Sequence, residues 1–169
     1  MIRRILTYGA PILRQRTRPV TEFTAGLQVL LDDMIETMYA APGLGLAANQ
    51  VGSPHRLFVA NPNENRDAKS LLVVVNPEVV VSRGEETFEE GCLSIPEFRE
   101  DVRRASQVVL TGMDRAGQPI ELEGTGLLAR IFQHEMDHLN GLLFVDRLSP
   151  AKKDILLRKL KKKFLDSTA

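Results

Sequence analysis

An α+β fold is predicted for this 169-residue chain, and three observations predict it. Two segments carry apolar residues at steps of three and four, the spacing of one helical face. Between them lie short runs rich in β-branched residues, bounded by turn formers as antiparallel strands are. Helices and strands are grouped along the chain instead of alternating, which disfavours a parallel βαβ sheet. A hydrophobic content of 43% in 169 residues suits one core, so residues 1–169 are read as a single domain.

In chain order, Leu27, Leu30, Leu31, Met34, Ile35 and Met38 trace one stripe and predict an N-terminal amphipathic helix, capped by Thr24 and ended before Pro42. Residues 43–50, Gly-Leu-Gly-Leu-Ala-Ala-Asn-Gln, offer small side chains where another backbone can come close, and read as a loop or extended rim. Residues 56–60 and 71–75 are expected as strands around an exposed loop at 61–67. Further strands are expected at 79–81, 107–113 and 119–122, the last two joined by a turn at Asp114-Arg115-Ala116-Gly117. Leu127, Leu128, Ile131, Phe132, Met136 and Leu139 surround the next helix, so it is expected to be buried, with Gly141 in the left-handed position at its end. Ser149-Pro150 then opens a terminal helix over 150–169 with Leu156, Leu157, Leu160 and Phe164 on one side. The fold expected is antiparallel sheet packed around a central helix, with an amphipathic helix before it and a basic one after.

Twenty-two basic and twenty-two acidic residues cancel, so no whole-molecule field draws the chain to DNA or to an anionic membrane. Residues 150–169 nevertheless hold six lysines and one arginine against two aspartates. Such a face is either simply solvated or docks on a polyanionic surface. No apolar stretch can span a bilayer or serve as a secretory signal, and one cysteine, Cys92, precludes an intramolecular disulfide; a cytoplasmic setting is expected.

The chemistry is concentrated in His134-Glu135-Met136-Asp137-His138. Two histidines four apart stack on one helical face, where a single metal ion can bridge them, and the glutamate beside the first can act as base on an activated water. Satisfied core histidines are the plainer alternative. A catalytic centre of this kind needs a third protein ligand and an open position. Metzincin peptidases would supply a third histidine where this chain has Phe144, and thermolysin-like peptidases a downstream glutamate, yet residues 139–169 contain neither His nor Glu. His55 sits in an isolated turn. Cys92, within Glu90-Gly91-Cys92-Leu93-Ser94, is the better candidate, since a thiolate binds divalent transition metals well. Spacing alone points to zinc.

Residues 43–50, the Glu90-Gly91-Cys92-Leu93-Ser94 run and Gln133-His134-Glu135-Met136-Asp137-His138 match, in order and spacing, the three motifs of the peptide deformylases. The resemblance extends from Ile5-Leu6 to the Asp146-Arg147-Leu148-Ser149-Pro150 run. It implies a metallohydrolase that removes the formyl group from the N-terminal formyl-methionine of nascent polypeptides. It also implies Cys92, His134 and His138 as ligands of one divalent ion, natively Fe2+, with Zn2+, Ni2+ or Co2+ as substitutes. By the same resemblance Glu135 is the base, and the Gln50 amide and Leu93 backbone N–H stabilise the oxyanion. The substrate would lie along rims at Gly45 and Gly91. Its methionine would enter a pocket of Leu44, Phe88, Leu127 and Ile131, and Arg99 would meet its later residues. Asp137 is read as a structural ion-pair partner. The chain departs from relatives at Ala10, at Arg130 beside the pocket, and at Glu97, where one branch has glycine. Two alternatives are kept: a metallopeptidase cutting internal peptide bonds, and a structural metal with the basic helix as a ribosome-binding surface.

Overall fold

The central strands of the larger sheet alternate their side chains between two helices. In a computed structural model describing residues 1–165, β1 (Gly45–Ala47), β2 (Leu57–Ala60), β3 (Leu72–Arg83), β6 (Gln107–Met113) and β7 (Pro119–Thr125) form an antiparallel sheet in the order β1-β2-β3-β6-β7. Leu57 and Val59 point to α1 (Ala25–Ala40), while Phe58 and Ala60 point to α2 (Gly126–Leu139), and all four are fully buried. Two core layers result. On one side Leu27, Leu31, Met34 and Met38 of α1 cover the sheet; on the other, Ala129, Phe132, Met136 and Leu139 of α2 do.

A second sheet is a hairpin of β4 (Glu86–Cys92) and β5 (Ile95–Arg104). It packs with the turn Phe144–Arg147 and with α3 (Pro150–Leu160), where Ile95, Val102, Phe144, Leu156 and Leu160 form a third cluster. Thus α2 lies among antiparallel sheets, as expected.

The caps follow the sequence: Thr24 Oγ1 accepts from Leu27 N, Ser149 Oγ accepts from Lys152 N, and Gly141 has φ +78 at the end of α2. A Cβ at Gly141 would lie 2.6 Å from the Arg14 carbonyl oxygen, so no other residue fits. The terminal helix is regular over Pro150–Leu160 and continues as a π-helical turn over Lys161–Leu165; the remainder of the helix expected over 150–169 lies outside the described residues.

Residues 79–81 are not a separate strand. β3 runs through Pro77, and its register with β6 shifts between Val75 and Glu78. Asn76, at φ +52, closes the irregularity: its side chain accepts from Val20 N at 2.7 Å and donates to Val20 O at 2.9 Å. Likewise β7 extends beyond the expected residue 122 to Thr125. Glu97 occupies the left-handed region at φ +74, a conformation that favours glycine.

Candidate active site

The hairpin brings a thiol to the face of α2 that carries both histidines. Cys92 ends β4 at a register shift, where Leu93 and Ser94 make the turn into β5. His134 and His138, one helical turn apart on α2, present their Nε2 atoms to each other at 3.2 Å. Cys92 Sγ lies 3.3 Å from His138 Nε2, and one donor atom from each residue lies within 4.8 Å of the others. His55 is exposed and outside this cluster; its backbone bridges to Arg18.

Tautomer and orientation are set by Glu90. Its carboxyl is about 2: burial alone would raise it, but the bonds from His134 and Arg104 outweigh burial. An ionised carboxylate only accepts, so His134 Nδ1–H donates to Glu90 Oε1 at 2.9 Å and Nε2 is the atom turned toward the cluster. Arg104 grips the same carboxylate through Nε at 2.5 Å and Nη2 at 2.9 Å, and reaches Asp137 at 3.0 Å. Arg147 donates to Asp137 at 2.6 Å, so Asp137 is the structural ion-pair partner expected. Burial holds His138 well below the ordinary imidazole value. For His134 burial acts the same way but is outweighed by contacts with Cys92 and Glu90, which hold it well above.

Glu135 is 3% exposed, and its Oε1 has no hydrogen-bond partner. Burial pushes its carboxyl up to about 7. Gly45 on β1 faces it so closely that a Cβ there would lie 2.6 Å from Oε2. Gln50 is held on three sides: Oε1 accepts from Ala47 N at 2.9 Å, and Nε2 donates to Ser94 Oγ at 3.1 Å and lies 3.8 Å from Cys92 Sγ. Asn49 ties the same turn to α2 by donating to the His138 carbonyl at 2.5 Å.

A cavity of about 430 Å³ opens over these groups. Leu44, Gly45, Gln50, Gly91, Cys92, Leu93, Arg99, Leu127, Ile131, His134 and Glu135 line it, and His138 is buried beneath at 1% exposure. Phe88 does not line it. That expectation is corrected: Phe88 is 55% exposed, and its ring lies against the guanidinium of Arg130, which takes the place at the cavity. Leu127 is half exposed and stands at the mouth, and Arg99 is exposed and paired with Glu89 at 2.7 Å. Glu90, Arg104, Asn49 and Ser94 escape sequence reasoning. Two residues' offset from Cys92 marks Glu90 as sharing its strand face, but nothing in the chain pairs it with residue 134.

A buried carboxyl, a fixed side-chain amide, a thiol converging with two imidazoles and apolar lining residues in one cavity are groups that can together polarise and hydrolyse a carbonyl compound. The chain matches the sequence profile of the family described as polypeptide deformylase over residues 2–154. It is 49% identical over 165 residues to the peptide deformylase of Syntrophobacter fumaroxidans, covering 98% of this chain and 97% of that protein. The crystal structure of a peptide deformylase from Legionella pneumophila is similar with TM-score 0.89 and 48% identity, covering 100% of this chain and 99% of that one. That of a peptide deformylase from Synechococcus elongatus in complex with actinonin is similar with TM-score 0.84 and 40% identity, covering 92% of this chain and 84% of that one.

Proposed function

The chain belongs to the polypeptide deformylase family, and we propose that Cys92, His134 and His138 hold one divalent metal ion in it. It is a hydrolase that removes the formyl group from the N-terminal formyl-methionine of newly made polypeptides and releases formate. Convergence of one sulfur and two imidazole nitrogens within 4.8 Å carries the ligand assignment. The donor set fits a cation, because lone pairs of this kind repel one another unless positive charge lies between them. Three ligands leave a position open, as a catalytic centre requires. We assign Fe2+ as the native ion, with Zn2+, Ni2+ or Co2+ able to replace it. When bound, the ion supplies a Lewis acid that lowers the pKa of water toward neutrality.

Glu135 takes the proton from the attacking water and delivers it to the departing amine. Its carboxyl, near neutral and free of other partners at Oε1, suits a group that must both accept and return a proton. As water adds to the formyl carbon, negative charge grows on the formyl oxygen, where the Gln50 side-chain amide and the Leu93 N–H donate. Ser94 and Ala47 fix the Gln50 amide, so it reorganises little as that charge appears. The peptide lies extended along Gly45 and Gly91, its methionine side chain against Leu44, Leu127 and Ile131 and its later residues toward Arg99.

The basic helix α3 aids association with the ribosome, through lysines that remain exposed along it. We place the protein in the cytoplasm and read it as a single domain; among the described residues no helix is long and apolar enough to cross a membrane. Anaerobic purification with metal analysis, coupled to formate release from formyl-Met-Ala-Ser, tests the reading. Formate release with loss of activity in air supports an iron deformylase, whereas activity indifferent to air indicates zinc. Cleavage of internal bonds in unformylated peptides would replace the reading with a metallopeptidase.

A further inference from the structure

Arg130 stands between the cavity and the carboxylate that orients the first imidazole. It lines the cavity and is 7% exposed. Its guanidinium, however, turns to the framework. Nη1 donates to Glu90 Oε2 and, at 3.0 Å, to the Val102 carbonyl; Nη2 donates to the Glu86 carbonyl at 3.1 Å. The guanidinium carbon lies 5.3 Å from the Phe88 ring centroid. Glu90 carries the connection onward, since its other oxygen accepts from His134 Nδ1 at 2.9 Å.

A planar guanidinium engaged with a carboxylate, two carbonyls and a ring has little freedom left, so the methylenes that bear it present a fixed face to the cavity. An apolar residue would serve equally well as a wall alone. Glu90 is the carboxylate the charge meets. We infer that Arg130 is a positioning residue, which holds the Glu90 carboxylate against His134 while its stem forms part of the wall where the substrate side chain packs. Recess and imidazole are thereby one mechanical unit. A side chain filling the recess presses on the group that aligns His134, and its binding energy is expressed in turnover as well as in affinity. The inference rests on the deformylase reading of this site.

The test compares wild type, Arg130→Met and Arg130→Lys, each loaded with Co2+ or Zn2+. Removing Arg130 leaves Glu90 and Asp137 still paired with Arg104 and Arg147, so no buried charge is stranded and the fold is retained. Chelator competition measures metal affinity. Loss of a group that orients a ligand costs 10–100-fold, and because Arg104 keeps its grip on Glu90, Arg130→Met should weaken the metal about tenfold. Arg130→Lys, which retains a charge toward Glu90, should stay within about threefold. Steady-state kinetics with formyl-Met-Ala-Ser and formyl-Ala-Ala-Ser form the second readout: wild type should show a methionine advantage in kcat, and in Arg130→Met that advantage should move into KM. Unchanged metal affinity in Arg130→Met overturns the inference, whatever happens to selectivity, and so does a Lys variant as weak as the Met variant. Should Arg130→Met not fold, the same comparison between Arg130→Lys and Arg130→Gln decides it. Absence of formate release from the wild type would instead refute the deformylase reading, while the affinity comparison would still judge Arg130.

Discussion

Replacing Gly45 by alanine should disable Glu135 without unfolding the protein. The added Cβ would lie 2.6 Å from Glu135 Oε2, 3.0 Å from Cδ and 3.2 Å from Cγ, whereas ordinary contact begins at 3.4 Å. The carboxylate must therefore withdraw by about 0.8 Å. It is 3% exposed, so the room it can withdraw into is the cavity it lines, away from its working position. A displacement approaching 1 Å in a proton-transferring group costs on the order of 10²-fold in rate, about 3 kcal/mol of transition-state stabilisation. Stability behaves differently. Alanine gains roughly 0.4–1 kcal/mol over glycine in an extended backbone, and crowding in a packed site costs roughly 1–3 kcal/mol. The net cost is at most about 2.5 kcal/mol, and Tm should fall by no more than about 10 °C. Formate release measured in wild type, Gly45→Ala, Glu135→Gln and the double variant forms a cycle. If glycine is required because of Glu135, the alanine penalty falls mainly on kcat and nearly vanishes once Glu135 is glutamine. A penalty of full size in the Glu135→Gln background, or Gly45→Ala within threefold of wild type, would refute the reasoning.

Cys92→Ala should abolish tight metal binding and activity together, as followed by metal analysis after gel filtration and by formate release; a fully active variant removes Cys92 from the site. Glu135→Gln should keep its metal while losing about 10²–10⁴-fold in kcat, a split seen by combining the same two measurements. Acid stability reports on Glu90: its carboxyl falls from an ordinary 4.5 to about 2 in the folded protein, so its stabilisation is complete above about pH 4.5 and disappears as pH falls toward 2. Urea unfolding at pH 6 and pH 3 should accordingly show a smaller stability loss on acidification in Glu90→Gln than in wild type. Neutralising the exposed Lys159, Lys161 and Lys162 to glutamine should reduce co-sedimentation with ribosomes at low salt and leave formate release from tripeptides unchanged. Unaltered co-sedimentation would count against the helix as a docking surface.

Periodicity made the helices legible because apolar residues recur at helical spacing: α1 shows its stripe from Leu27 to Met38, and α2 buries Ala129, Ile131, Phe132, Met136 and Leu139. Strands β2 and the start of β3, closed in by helices on both faces, read as apolar runs for the same reason. The β4–β5 hairpin was illegible because its residues are largely charged and exposed, and its pairing, such as Phe88 with Val102, answers to tertiary packing. Pro77 obscured the continuity of β3, since only a bulge capped by Asn76 lets a strand run through it. At the site, the His-Glu-His spacing is local and was visible, as was a lone cysteine among glycine and serine. The ion-pair network is not local: Glu90 meets Arg104 and His134 across 14 and 44 residues, distances over which charge patterns in a chain carry no signal. Phe88 was misplaced for a related reason. A sequence reveals that an aromatic residue is near a recess, not that an arginine stands between them.

The sulfur and the imidazoles belong to different bodies of the molecule, one borne by the detached ribbon and the other by the central rod. A cation clasped between them would tie a loop of more than forty residues, much as a covalent crosslink does. Loading should therefore harden the protein: stripped of its ion, it should be cut first by proteases in that ribbon.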